Sequence, residues 1–156
     1  RVYSAEQQVG RLLDRAATGA ATVDFFGSTL TLPVERRFAD LASVQRWVDA
    51  VLALDEVRTR WPQVPACGVR DRRGASRAHY EPPATIAVPP AGRWAMRELV
   101  LCHELAHHLT VHTPGGAADP GHGGVFVDAY LLLTGIVIGA EVSLLLRAGL
   151  HQAGAV

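Results

Sequence analysis

Met96-Arg97-Glu98-Leu99-Val100-Leu101-Cys102-His103-Glu104-Leu105-Ala106-His107-His108-Leu109-Thr110-Val111 decides how the chain is read. Arg93 to Val111 contains neither Gly nor Pro. Leu99, Val100, Leu105, Ala106, Leu109 and Val111 supply apolar positions all round, so the stretch predicts a buried helix. Pro89-Pro90 and Gly92 mark its start and Thr113-Pro114-Gly115-Gly116 its end. Within it His103-Glu104-Leu105-Ala106-His107 reads as HExxH. Side chains at i and i+4 stack on one helix face, where two imidazoles can share one metal ion, and the glutamate at i+1 flanks that face as a general base for an attacking water. Two histidines and a glutamate in so apolar a helix cost desolvation unless something pairs with them, and a cation does so. The expected chemistry is hydrolysis that depends on zinc, one ion per chain, with Glu104 as the catalytic base.

A catalytic zinc normally has three protein ligands and one open position. Downstream candidates for the third are His108, His112, Asp119, His122, Asp128, Glu141 and His151. His108 projects about 100° around the helix from His107, and His112 lies about 7.5 Å further along it, so neither joins the pair easily. The extended motif HExxHxxGxxH requires Gly at 110 and His at 113, where this chain has Thr110 and Thr113. His122 is the leading candidate, because Pro114 to Gly121 is a turn-rich excursion that can return the chain to the helix, and its glycine neighbours permit close approach. Glu141, then Asp128, remain the alternatives.

The pattern His103-Glu104-Leu105-Ala106-His107, a glycine-rich loop, then His122-Gly123-Gly124-Val125-Phe126 resembles the HExxH…HGxxF arrangement of SprT-like zinc peptidases over residues 96–130. The opening Arg1-Val2-Tyr3-Ser4-Ala5-Glu6, with the same motif and overall length, is similar to a family of small HExxH metallohydrolases from high-GC bacteria across most of the chain. The resemblance implies a zincin-like metallopeptidase with His103, His107 and His122 as metal ligands and Glu104 as base. It names no substrate beyond a peptide or protein. No Cys-rich zinc ribbon and no strongly basic tail accompany it.

At 156 residues the chain suits one domain, 1–156, with a core of its own. Fifteen basic residues, all arginine, balance fifteen acidic ones, so no general attraction to nucleic acid or to an anionic membrane is expected. Two cysteines, Cys67 and Cys102, without a CxxC give neither a disulfide framework nor a cysteine metal site, and both are expected to pack. Ala129 to Ala140 is apolar but too short to span a bilayer, and Gly135 and Gly139 within it signal tight packing or a break between helices. The chain begins at Arg1 with no charged-then-apolar leader, which points to a trimmed cytoplasmic protein. Oligomeric state stays open.

The remaining pattern is α+β. Ser4 to Thr18 predicts a helix, capped by Ser4 with Gln7 completing a capping box. Thr22 to Leu32 predicts strands about a Gly27-Ser28 turn, and Asp40 to Leu54 an amphipathic helix with Trp47 in the core. Ala66 to Arg70 and Arg77 to Glu81 predict two strands joined at a solvated, arginine-rich hairpin tip (Arg70, Arg72, Arg73, Arg77), and Thr85 to Val88 a third. The expected whole is a small, mostly antiparallel sheet, an active-site HExxH helix and backing helices at Val125 to Leu133 and Ala140 to Leu146. Thr85 to Val88 or a neighbour would be the edge that holds an extended peptide. Tyr130 or Tyr80 could supply an oxyanion-stabilising phenol, and Asp128 or Glu98 could orient a ligand imidazole. The rival from another class is a non-catalytic, zinc-stabilised binding module.

Overall fold

A helix that is apolar all round must be covered on every side. In the computed structural model, which describes residues 1–90, 94–116 and 121–155, the HExxH stretch does this as α4 (Glu98–Val111). Leu99, Leu101, Cys102, Leu105, Ala106 and Leu109 have no exposed surface. The covering elements are α1 (Val2–Ala17), α5 (Gly124–Val137) and a strand edge. In chain order the rest are β1 (Thr22–Phe25), β2 (Ser28–Thr31), α2 (Leu41–Leu52), α3 (Asp55–Arg60), β3 (Gly68–Asp71), β4 (His79–Glu81), β5 (Thr85–Val88) and α6 (Ala140–Gln152). The fold is mixed α+β, as the pattern predicts, and Trp47 and both cysteines are buried in its core.

Helix α4 begins later than the sequence suggests. Gly92 and Arg93 lie outside the described residues, while Met96 and Glu98 are tied by backbone bonds to Phe38 and Arg36, so this lead-in is extended. A carboxylate from a distant residue serves the new terminus: Glu35 Oε2 accepts the Leu99 N–H at 3.2 Å. Arg97, with no exposed surface, holds that carboxylate in an ion pair, reaches Asp14 at 3.1 Å and stacks on Trp94 at 4.5 Å.

Helix α1 starts at Val2, so Ser4 lies inside it, and no side chain caps its N-terminus. Its buried stripe of Val2, Ala5, Val9, Leu13 and Ala16 sets the register through packing, which overrides the weaker capping signal. Asp40 does cap α2, accepting the Ser43 N–H at 2.7 Å. The short α3 was not expected. Asp55 and Glu56 in its first turn and Arg58 and Arg60 in its last complement the helix dipole, a usable but faint signal.

The three-stranded sheet runs β3-β5-β4, with β5 parallel to β3 and antiparallel to β4, and β1-β2 form a separate antiparallel hairpin. The segment joining β3 and β4 is therefore a connection between outer strands and not a hairpin tip. Burial explains the order: Ile86, Ala87 and Val88 of β5 are wholly inside, whereas β3 alternates exposed and half-buried residues. Thr85 to Val88 is thus sheet interior, and β4 is the edge strand facing α4. Helices α5 and α6 are separated at Gly139, whose φ of +155° stops the helix, and Gly135 lets Ser143 Cβ approach to within 3.4 Å of where its own Cβ would stand. No helix among the described residues is long and apolar enough to cross a membrane.

Candidate metal centre

One helical turn brings His103 and His107 to a ring separation of 5.1 Å. The third imidazole comes from the segment before α5. Gly121, at φ +63°, turns the chain, and His122 follows two residues before the helix starts. Its ring lies 4.9 Å from that of His103 and 5.0 Å from that of His107. One nitrogen from each of the three lies within 4.8 Å of the others, close enough to hold a metal ion. Phe126, one turn into α5, packs against all three rings at 4.4 to 5.0 Å.

The outer contacts orient these rings. His103 Nδ1 lies 2.8 Å from Glu6 Oε2, while its Nε2 lies 3.0 Å from His122 Nε2. A carboxylate this close to Nδ1 favours the tautomer with its proton on that nitrogen, which leaves the Nε2 lone pair facing the other imidazoles, although no Nδ1–H···O hydrogen bond is aligned in this structure. Tyr130, without exposed surface, donates its hydroxyl to the same Glu6 oxygen at 3.0 Å. His107 is pushed down to about 3, first by burial and then by His103, His122 and His79, so it is a neutral donor at neutral pH. Three nitrogens on a tetrahedral zinc at about 2.0–2.1 Å stand roughly 3.3 Å apart. The 3.0 Å between His103 and His122 is near that spacing, and with all three nitrogens within 4.8 Å of one another the set can hold a metal ion.

Glu104 is 6% exposed, and its Oε2 accepts the Tyr80 N–H of β4 at 2.7 Å. Burial raises its carboxyl above the usual carboxylate range, with Glu6 adding to the shift and His103, the Tyr80 N–H and Arg72 opposing it. Tyr3 of α1 stacks flat on His103 at 5.2 Å and meets His122 edge-on at 5.3 Å. It lines a narrow cleft with Glu104, and Arg77 sits over its ring at 5.4 Å.

Several expected residues are occupied elsewhere. His108 Nε2 binds the Pro65 carbonyl at 2.9 Å, and His112 Nε2 binds that of Pro83 at 2.9 Å, so both point away from the cluster as their helical phase requires. The Tyr80 hydroxyl sits between the Pro83 carbonyl and His108 Nδ1, and the Tyr130 hydroxyl is held by Glu6 and the Leu99 carbonyl; neither phenol serves as an oxyanion donor. Glu98 accepts Trp47 Nε1–H at 2.9 Å and the Arg36 N–H at 2.8 Å, which removes it from the imidazoles. Asp128 is exposed and lines a different cleft with Trp61, and Glu141 lies beside Gly139. Neither joins the histidine group. Asp119 lies outside the described residues.

The arginine cluster is dispersed: Arg70 pairs with Glu81, Arg73 with Asp71, and Arg72 holds the Arg77 carbonyl. Sequence reasoning missed Glu6 and Tyr3. The available signal for Glu6 was a carboxylate placed within the apolar stripe of α1, a costly position that calls for a partner. Against known proteins, no family model, no curated protein and no solved structure matches the chain.

Proposed function

We propose that the chain is a zinc-dependent hydrolase, of the metallopeptidase or amidase kind, acting on a peptide or protein and built on a zincin-like plan. The observation that carries this reading is the convergence of His103, His107 and His122 beside a buried Glu104. His103, His107 and His122 would hold the zinc, which would supply Lewis-acid polarisation of a carbonyl and activation of the attacking water. Glu104 takes the proton of the attacking water and passes it to the leaving amine, and its burial suits a group that must both accept and return a proton. The Tyr80 N–H fixes one of its oxygens. Strand β4 lies at the sheet edge beside that carboxylate, where an extended peptide would run along it. With Tyr80 and Tyr130 engaged, Tyr3 is the phenol left in the cleft to meet a developing oxyanion.

The test joins metal analysis to turnover. Purified chain should carry about one zinc, lost in His103→Ala and in His122→Ala. Glu104→Gln should keep the metal and lose hydrolysis of a quenched-fluorescence peptide library. Cleavage by Glu104→Gln at the parental rate would remove Glu104 as base. Zinc retained by a parent that cleaves nothing in the library would favour the zinc-stabilised binding module.

A further inference from the structure

A large concavity lies away from the histidines. Helices α1 and α6 pack side by side, closely enough that Gly149 stands where an added Cβ would be 3.2 Å from Ala5 Cβ. Two packed helices leave a valley along their seam, and this one has a volume of about 1280 Å³. The α1 wall is Gln8, Arg11, Leu12 and Arg15, and the α6 wall is Leu144, Arg147, Ala148 and His151. Both sets follow the i, i+3/i+4, i+7 spacing of a single helix face. Phe25 and Phe26 of the β1-β2 hairpin close one end.

Two properties define what fits there. Leu12, Phe25, Leu144 and Leu145 give the lining its apolar surface. The rim carries Arg11, Arg15 and Arg147 against one acid, Asp24, whose Oδ1 is already engaged by the Gly27 N–H of the turn. None of the three arginines forms an ion pair among the described residues, in a chain with equal numbers of acidic and basic residues. Phe26 adds a third observation. It is 89% exposed at φ +49°, a conformation that disfavours a bulky side chain and is normally filled by Asn or Gly. Its one ring contact is with Phe25, so the fold gains little from an aromatic at this tip.

We infer that the α1–α6 valley is a docking groove for an amphipathic helix of a partner protein, its apolar stripe on Leu12, Leu144 and Leu145 and its acidic flanks on Arg11, Arg15 and Arg147. The volume exceeds the roughly 300–1000 Å³ of small-ligand pockets, and an open, two-walled shape suits a third helix laid in the seam. Charge complementarity selects an acidic helix over a basic one. The inference does not depend on the metal centre, because the valley and the histidine group share no residue.

The full chain is titrated, by fluorescence anisotropy, with labelled helical peptides of roughly 15 residues that share one leucine stripe and differ in flanks, all Glu or all Lys. A scrambled Glu peptide lacking the stripe is the third probe. The Glu helix should bind, and the Lys helix and the scramble should not. Arg15→Glu and Arg147→Glu should each weaken the Glu helix about fivefold, and the double variant should turn to the Lys helix. Circular dichroism of these surface variants checks that the fold persists. Equal affinity for Glu and Lys helices, no binding of the Glu helix, or binding indifferent to Arg147→Glu would overturn the inference. So would binding to phosphatidylserine vesicles that depends on Phe26 while the peptides stay free.

Discussion

Under the proposed function, Glu6→Gln separates the orientation of a metal ligand from the packing of a helix. The Glu6 carboxylate is 4% exposed, and its Oε2 lies 2.8 Å from His103 Nδ1 and takes the Tyr130 hydroxyl at 3.0 Å. Both contacts use one oxygen, so a glutamine with its amide oxygen in that place preserves shape and that acceptor while removing the charge and turning the other oxygen into an NH2 donor. A carboxylate behind a ligating imidazole makes the ring a better donor, and losing such a partner costs about 10–100-fold in metal affinity. With the acceptor retained, the low end applies: about tenfold, or roughly 1.4 kcal/mol, rising towards a hundredfold for Glu6→Ala. Zinc affinity is read by competition with a chromophoric chelator at fixed pH, and urea unfolding is followed on the metal-free variant. Removing a buried carboxylate should leave the metal-free chain as stable or slightly more stable, so affinity falls while the urea midpoint does not. Parental zinc affinity in Glu6→Gln would refute the orienting role, and a drop in both quantities would reduce it to a packing defect.

Arg97→Met leaves the buried Glu35 carboxylate with only Arg37 at 3.6 Å and the Leu99 N–H, and should lower unfolding free energy by about 3 kcal/mol in urea; a loss under about 1 kcal/mol would show that the ion pair contributes little. Burial lifts the Cys67 thiol to about 12 and that of Cys102 well above its usual value, so native protein at pH 8 should not react with a disulfide reagent, while unfolded protein yields two thiols. A thiol whose pKa is raised on folding contributes stability that is present below the unfolded value and lost above it. The unfolding midpoint should therefore fall as pH climbs from about 9 towards 12; a flat profile there would contradict the burial. Under the proposed function, Tyr3→Phe should lower kcat about a hundredfold with zinc affinity unchanged, and a parental kcat would dismiss the phenol.

What could be read from the sequence was what neighbours in sequence determine. Helix α4 and the one-turn pairing of His103 with His107 follow from periodicity alone, and the return of His122 follows from the glycines around it. The break at Gly139 was legible for the same reason. The order β3-β5-β4 was not, because strands adjacent in sequence are the natural first pairing, and only the full burial of β5 separates them. Glu6 was illegible as an orienting carboxylate because the residue it meets lies on another element. Nearby acids such as Glu98 looked equally suitable until Trp47 and Arg36 were seen to occupy it. The late start of α4 likewise came from a distant strand-like contact at residues 36–38, which leaves no mark on the local pattern.

Glu6 and Tyr130 stand 124 residues apart in the chain and meet behind one imidazole. That distance orders events during synthesis. The HExxH helix is complete before His122 or α5 exists, so for a time the nascent chain has two ligands, and Glu6 lacks the hydroxyl that steadies it. Closing so long a loop is entropically slow, and it becomes worthwhile only once α5 can pack on α4 and bring Tyr130 to α1. A chain arrested before Gly121 should therefore release zinc readily, and one extended past Tyr130 should retain it. Under the proposed function, durable metal capture would report that both ends of the fold have met, and a premature stop before α5 would yield a protein without the ion instead of a half-built site that holds one.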